Sequence, residues 1–191
     1  MHINAPTLEQ QFADIRAAVE TLPALFPAVR KAADMLVASL GSGGKVLTAG
    51  NGGSAAEAMH TAEELTGRYR SNRRSLPGIA LTADGTALTC IGNDFGYDEI
   101  FARQIEGLGN AGDVLVVFST SGNARNLARA VQQARQQGMR VIALLGRDGG
   151  PLARQADVDI IVPVQRTERI QEIHQMILHL LLEAVETAFA K

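Results

Sequence analysis

Two acid–base side chains stand four residues apart in LTAGNGGSAAEAMHTAEEL, residues 47–65: His60 and Glu64. At i and i+4 of a helix they share one face and reach each other. An imidazole beside a carboxylate can bind a metal or move a proton. On a surface the same pair often only shares a hydrogen bond with water, and taken alone it needs no more than that. Glu63 is adjacent, but Glu64 is the one in register with His60. The helix follows Gly50-Asn51-Gly52-Gly53-Ser54, a turn whose glycines let backbone approach a ligand closely. Ser54 is expected as its N-cap, with Glu57 at the capping-box position. Free N–H groups at such a terminus attract anions. A tight strand-to-helix connection accounts equally well for an isolated GNGGS. The turn has neither the GxxxxGK[ST] spacing nor the full GxGxxG fingerprint, which disfavours a nucleotide.

A second polar turn, Ser119-Thr120-Ser121-Gly122-Asn123, follows the apolar stretch 113–118. One hydroxyl would serve as an ordinary helix cap; three and a glycine offer neutral donors to phosphate oxygens. Two such turns after two parallel strands point to a phosphorylated small molecule, held by backbone dipoles and hydroxyls, since neither turn has a lysine.

The last helix, RIQEIHQMILHLLL (169–182), carries Gln171, Gln175 and His179 at spacings of four, with His174 near the edge of that face. His179 lies between Leu178 and Leu180 in a stretch apolar nearly all round, as in helices buried against a core or another subunit. It is either a buried histidine satisfied by one hydrogen bond or a group whose pKa a partly dry site can tune. Asn93-Asp94 is a third polar cluster, either a turn within GNDFG or acceptors for a substrate hydroxyl. Of the basic residues Arg68, Arg70, Arg73 and Arg74, most suit a solvated loop, while Arg68, four past Glu64, could face the site. Cys90 reads most simply as a small buried residue.

These residues need elements to hold them. Thr7 with Gln10 fits a capping box opening a helix to about residue 22, and a second helix is expected over 27–40, stopped by glycines. Apolar runs at 45–49, 78–82, 113–119, 140–145 and 157–162 alternate little, as strands covered on both faces do. Helical patterns at 54–69, 98–108, 123–137 and 167–190 fall between and after them. Strand alternating with helix predicts an α/β fold, a three-layer αβα sandwich on a central five-stranded parallel sheet. Ligands bind such sheets beyond the carboxyl ends of the strands, where the polar turns lie.

The 191 residues fit one domain, with helices over 1–41 ahead of an αβα core at 42–191. With 46% hydrophobic and 20% charged residues the composition is that of an ordinary globular chain. A net charge of −2 and 4% aromatics without Trp argue against a nucleic-acid or anionic-membrane partner. Acidic residues interrupt 1–22 as they do not in a signal peptide, and the apolar runs are too short to span a bilayer. One cysteine fits a reducing cytoplasm.

Taken together, GNGGSAAEAMHTAEELTGRY, IGNDFG, STSGN, GRDGG and RIQEIHQMILH closely resemble the bacterial sedoheptulose 7-phosphate isomerases, or phosphoheptose isomerases, of the sugar isomerase (SIS) superfamily. The similarity runs from about Gly44 to the end of the last helix, with the spacing between motifs kept. The resemblance implies an aldose–ketose isomerisation, sedoheptulose 7-phosphate to D-glycero-D-manno-heptose 7-phosphate, early in lipopolysaccharide heptose synthesis. It implies substrate contacts at Asn51, Gly52, Gly53, Ser54, Asn93 and Asp94, and a phosphate loop at Ser119, Thr120 and Ser121. Glu64 and His179 match the proposed base and acid, and His60, Glu64, Gln171 and His179 match positions where a zinc ion has been placed. A cytoplasmic homotetramer is implied. Ala124 replaces a serine frequent in relatives, removing one phosphate hydroxyl, and Glu168 stands where relatives vary. One branch on the same scaffold is a non-catalytic oligomer that binds the bacterial replication initiator protein and departs at the positions matching Glu64 and His179. This chain keeps both, with His60 and Gln171. Sugar-phosphate-sensing domains of regulators form a third class, but they come fused to a DNA-binding domain for which this length leaves no room.

Overall fold

Strands without alternation need cover on both faces, and the chain supplies it. The computed structural model describes residues 6–190. Helix α1 (Leu8–Val19) opens on the expected capping box: Thr7 Oγ1 accepts the Gln10 N–H (3.3 Å) and Gln10 Oε1 accepts the Thr7 N–H (2.8 Å). Helix α2 (Leu22–Gly41) starts five residues before the expected 27, with Pro23 in its first turn and Pro27 inside it. An interior proline costs roughly 3 kcal/mol. The buried face of Val29, Ala32, Ala33, Leu36 and Leu40 offsets it and carries the helix through.

The core then alternates: β1 (Val46–Gly50), α3 (Gly53–Thr66), β2 (Gly78–Ala80), α4 (Gly85–Phe95), α5 (Ala102–Leu108), β3 (Val114–Ser119), α6 (Arg125–Gln136), β4 (Arg140–Gly146), β5 (Val158–Val162) and α7 (Thr167–Phe189). Helix α4 corrects the reading of 92–96 as a turn. The Asp84 side chain caps it by accepting the N–H groups of Thr86 (2.9 Å) and Ala87 (3.0 Å), so Asn93 and Asp94 end a helix. The single helix expected over 98–108 is a short 3₁₀ turn, Tyr97–Glu99, followed by α5.

All pairings are parallel, in the order β2-β1-β3-β4-β5, with Val46 opposite both Gly78 and Val114. Along β3, Val114, Val116 and Phe118 face one core and Leu115 and Val117 the other. Helices α1, α2, α3 and α7 cover the first face and α4, α5 and α6 the second, giving the expected αβα sandwich. The order reverses between β1 and β3, so a crevice opens beyond their carboxyl ends. GNGGS and STSGN are the two turns that leave those ends.

Candidate active site

Both α3 and α7 start at the carboxyl edge of the sheet and run back along the same face, so their facing residues meet rung by rung. Gly52 turns the chain into α3 with φ +57°, a conformation open to glycine. Gly53 begins the helix, and a Cβ there would collide with the Gln171 amide. Ser54 is therefore not the N-cap: Gly52 holds that position, and Ser54 is buried inside the first turn with no capping bond. One turn further, Glu57 faces His174; beyond it, His60 and Glu64 face Gln175 and His179.

Around these side chains lies a cavity of about 520 Å³ lined by Gly53, Glu57, His60, Gln171, Gln175 and His179 among others. His60 Nε2 lies 3.2 Å from Glu64 Oε1, and the Gln175 amide nitrogen 2.7 Å from His60 Nδ1 and 3.2 Å from His179 Nε2. The two imidazoles meet edge to face, ring centroids 5.3 Å apart. The Tyr69 ring lies 6.1 Å from His179; burial and then the Glu183 charge push its hydroxyl pKa up, so it stays protonated at neutral pH.

His179 is half-exposed rather than buried, and Leu180 beside it is 49% exposed. The buried histidine of this helix is His174, fully enclosed and 3.2 Å from the Leu145 carbonyl at the end of β4. Gln171 lines the same cavity as His60, Gln175 and His179, but its amide rests on Gly53, a rung away from the imidazoles.

Across the crevice, Ser119 Oγ accepts the Gly122 N–H (3.0 Å) and Ser121 Oγ the Asn123 N–H (3.3 Å). Each oxygen is thereby fixed while its O–H remains free to donate. Thr120 lies half-buried between them. Ala124 is the N-cap of α6 and supplies no side-chain bond, so no capping side chain satisfies the first N–H groups of that helix. Asn51 joins the turns: its amide exchanges hydrogen bonds with that of Asn126 on α6 (3.0 and 2.8 Å) and accepts the Tyr97 hydroxyl (3.1 Å). It also lines a second cavity, about 470 Å³, bounded by Gly52, Thr82, Leu88 and Phe101.

Other expected residues lie apart from the cluster. Asn93 and Asp94 are exposed on the last turn of α4, bonded to each other at 2.7 Å. Arg68 is exposed past the end of α3. Cys90 is exposed, not buried, because it lies on the outer face of α4. The loop after α3 is not all solvated. The Arg73 side chain is buried; it donates to the Glu64 carbonyl (2.8 Å) and pairs with Glu186 (2.9 Å), which anchors the end of α3.

Sequence reasoning missed Glu57, Gln175 and Asn126 as parts of the site. Positions 53, 57, 60 and 64 share a helical face, as do 171, 175 and 179, so periodicity contained the first two. Nothing in the sequence signals Asn126.

Chemically the cluster offers two imidazoles and a carboxylate within reach of one another. His60, Glu63 and Glu64 place ligating atoms within 4.8 Å, though Glu63 is exposed. An imidazole and a carboxylate at this spacing are ligand types that a divalent metal such as zinc takes, while His179 lies outside that tight group. The same groups suit proton transfer at adjacent carbons.

Residues 10–146 match the SIS domain family. The chain is 48% identical over 180 residues to a phosphoheptose isomerase from Helicobacter hepaticus, covering 94% of this chain and 92% of that one. Among solved structures it is similar to the phosphoheptose isomerase of Neisseria gonorrhoeae, with a TM-score of 0.87 and 44% identity, covering 95% of this chain and 100% of that one. A phosphoheptose isomerase from Francisella tularensis matches with a TM-score of 0.89 and 40% identity over 94% and 95% of the two chains.

Proposed function

We propose that this chain, which belongs to the SIS-domain family and within it to the phosphoheptose isomerases, converts sedoheptulose 7-phosphate to D-glycero-D-manno-heptose 7-phosphate, for the heptose of lipopolysaccharide. It is an enzyme of the isomerase class; substrate and mechanism are the inference. The observation that carries them is the meeting of Glu64 on α3 with His179 on α7, through His60 and Gln175, beside a cavity that begins at Gly53 on the turn into α3.

In this reading the phosphate rests on the hydroxyls of Ser119, Thr120 and Ser121 and the uncapped N–H groups of α6. The sugar chain extends past Gly53 and Gln171 toward the cluster. Glu64 takes a proton from C1 of the ketose while His179 protonates the carbonyl oxygen at C2, giving a neutral cis-enediol. The proton returns to C2 as the C1 hydroxyl gives up its own, leaving the C1 aldehyde. No atom is gained or lost. Both groups are half-buried, so substrate and water can reach them.

His60, Glu64, Gln171 and His179 are the residues that would hold a zinc ion. Bound there, zinc would supply Lewis-acid stabilisation for the enediol oxygens. Asn93, Asp94 and Arg68 fit a substrate role only at the mouth of the site. Met59, Met176 and Leu180 expose apolar surface beside the cavity, which supports a homotetramer burying that face; light scattering tests it. The deciding experiment is incubation with sedoheptulose 7-phosphate, watched by NMR for the aldose. No product at high enzyme concentration would favour the non-catalytic interaction module.

A further inference from the structure

Strands β1 and β3 end side by side, Gly50 opposite Phe118, and their exits then part. The turn after β1 leads to α3 on one face of the sheet, and the turn after β3 leads to α6 on the other. Beyond the last ladder pair, two side chains bridge the diverging turns. Asn126, the second residue of α6, is only 2% exposed. An asparagine near a helix start ordinarily caps its own helix. Here Ala124 holds that position, and the Asn126 amide reaches across instead, accepting from Asn51 Nδ2 (3.0 Å) and donating to Asn51 Oδ1 (2.8 Å). The Tyr97 hydroxyl gives Asn51 Oδ1 a second hydrogen (3.1 Å). A carboxamide has two lone pairs and two N–H groups. Asn51 therefore keeps one N–H unspent, and it lines the cavity of about 470 Å³.

We infer that Asn126 is a positioning residue of the substrate site and acts on the ligand only through Asn51. A sugar phosphate resting on Ser119, Thr120 and Ser121 and reaching past Gly53 has to cross Asn51, two residues before Gly53. The paired amides keep the turn that carries Gly52 and Gly53 in register with the turn that carries the hydroxyls. They also fix the Asn51 amide so that its last N–H meets an oxygen of the sugar phosphate. Tyr97 adds a smaller share of the same hold from the far side of Asn51. The assignment deepens the isomerase reading and rests on it for the identity of the ligand.

The test is a double-mutant cycle on the full chain with sedoheptulose 7-phosphate, Asn51→Ala against Asn126→Ala. Asn126→Ala raises KM roughly tenfold with kcat within about threefold, the pattern of lost binding rather than lost chemistry. Asn51→Ala does at least as much, and the double variant matches Asn51→Ala within about twofold, far from the roughly hundredfold product of independent losses. Tyr97→Phe, at an exposed side chain, raises KM about two- to threefold in the wild-type background and not at all in Asn51→Ala. If Asn126→Ala does not fold, Asn126→Asp carries the same readout, since it keeps the volume and sets an oxygen against Asn51 Oδ1. Losses that multiply, a fall in kcat in place of the rise in KM, or an unchanged KM overturns the proposal. A ¹H–¹⁵N spectrum of the side-chain amides needs no substrate: the Asn51 amide signals shift in Asn126→Ala and move little in Tyr97→Phe. A wild-type chain with that signature and no turnover would sink the isomerase reading and leave the hold of Asn126 on Asn51 standing.

Discussion

Two glutamates, Glu57 and Glu186, are buried where α3 and α7 cover the same face of the sheet, 5% and 7% exposed, and their surroundings are opposite. Glu186, near the end of α7, accepts from the Ser71 hydroxyl (2.6 Å), the Ser71 N–H and the Arg73 guanidinium (2.9 Å). The Ser71 hydroxyl above all, then its N–H and Arg73, hold the Glu186 carboxyl at about 2 against the opposing effect of burial. Glu57, in the wall of the cavity, has no partner on either oxygen, and Nδ1 of His174, 3.9 Å away, has none either. A charge with every lone pair used fastens a helix to a loop. A buried carboxyl with none used, in the wall of a cavity, is the reverse case: nothing around it fastens it to the fold. One end of the α3–α7 pair is thus closed by a fully partnered carboxylate, and the other opens on a cavity with unpartnered polar groups in its wall.

Substitutions at the two ends should separate turnover from stability. The largest effect belongs to the open end: Glu64→Gln and His179→Ala should each lower isomerisation by ~10²–10⁴-fold, while urea unfolding shifts by less than about 1 kcal/mol, as for partly exposed side chains away from a core. Turnover by NMR and unfolding by circular dichroism read both. Near-normal turnover in either variant would remove that residue from the chemistry.

At the closed end the ranking reverses. The carboxyl of Glu186 moves from an ordinary 4.5 to about 2 on folding. By linkage, its ionised form contributes about 3 kcal/mol of stability. Because the folded pKa is the lower one, that contribution is complete above about pH 4.5 and is lost as pH falls toward 2. Glu186→Gln should therefore lose most of it near neutrality and converge with wild type at about pH 2. Urea midpoints across that range test the convergence. A constant gap between the two proteins would show that packing rather than charge holds this end.

The difference between the ends also explains what the sequence could reveal. The parallel sheet was legible because covered strands write themselves as apolar runs, and His60 with Glu64 because helical spacing is local. Helix α4 was not, because its signal is the cap at Asp84, three residues ahead of an apolar run too short to show a period. Ser54 was misplaced because a positive φ at Gly52 starts the helix before the residue that looks like its cap. Arg73 and Glu186 are far apart in the chain, and only the packing of α7 onto the loop after α3 tells a buried ion pair from two solvated charges. The meeting of Gln175 with His60 is of the same kind, a contact between two elements that no spacing within either one encodes.

The smallest effect is the sharpest test of the contrast. Glu57→Gln keeps the shape of the side chain and puts a neutral amide in place of a buried carboxyl that no partner binds. Its new amide can donate to the bare Nδ1 of His174, whose other ring nitrogen already faces the Leu145 carbonyl. Burying a charge without partners is unfavourable, and replacing it with a neutral group of the same size is often neutral or stabilising. The stability of Glu57→Gln should therefore stay within about 1 kcal/mol of wild type or rise, opposite in sign to Glu186→Gln. A loss as large as that of Glu186→Gln, in urea unfolding at neutral pH, would mean that Glu57 has folding partners of its own. The contrast between the two ends of the helix pair would then collapse.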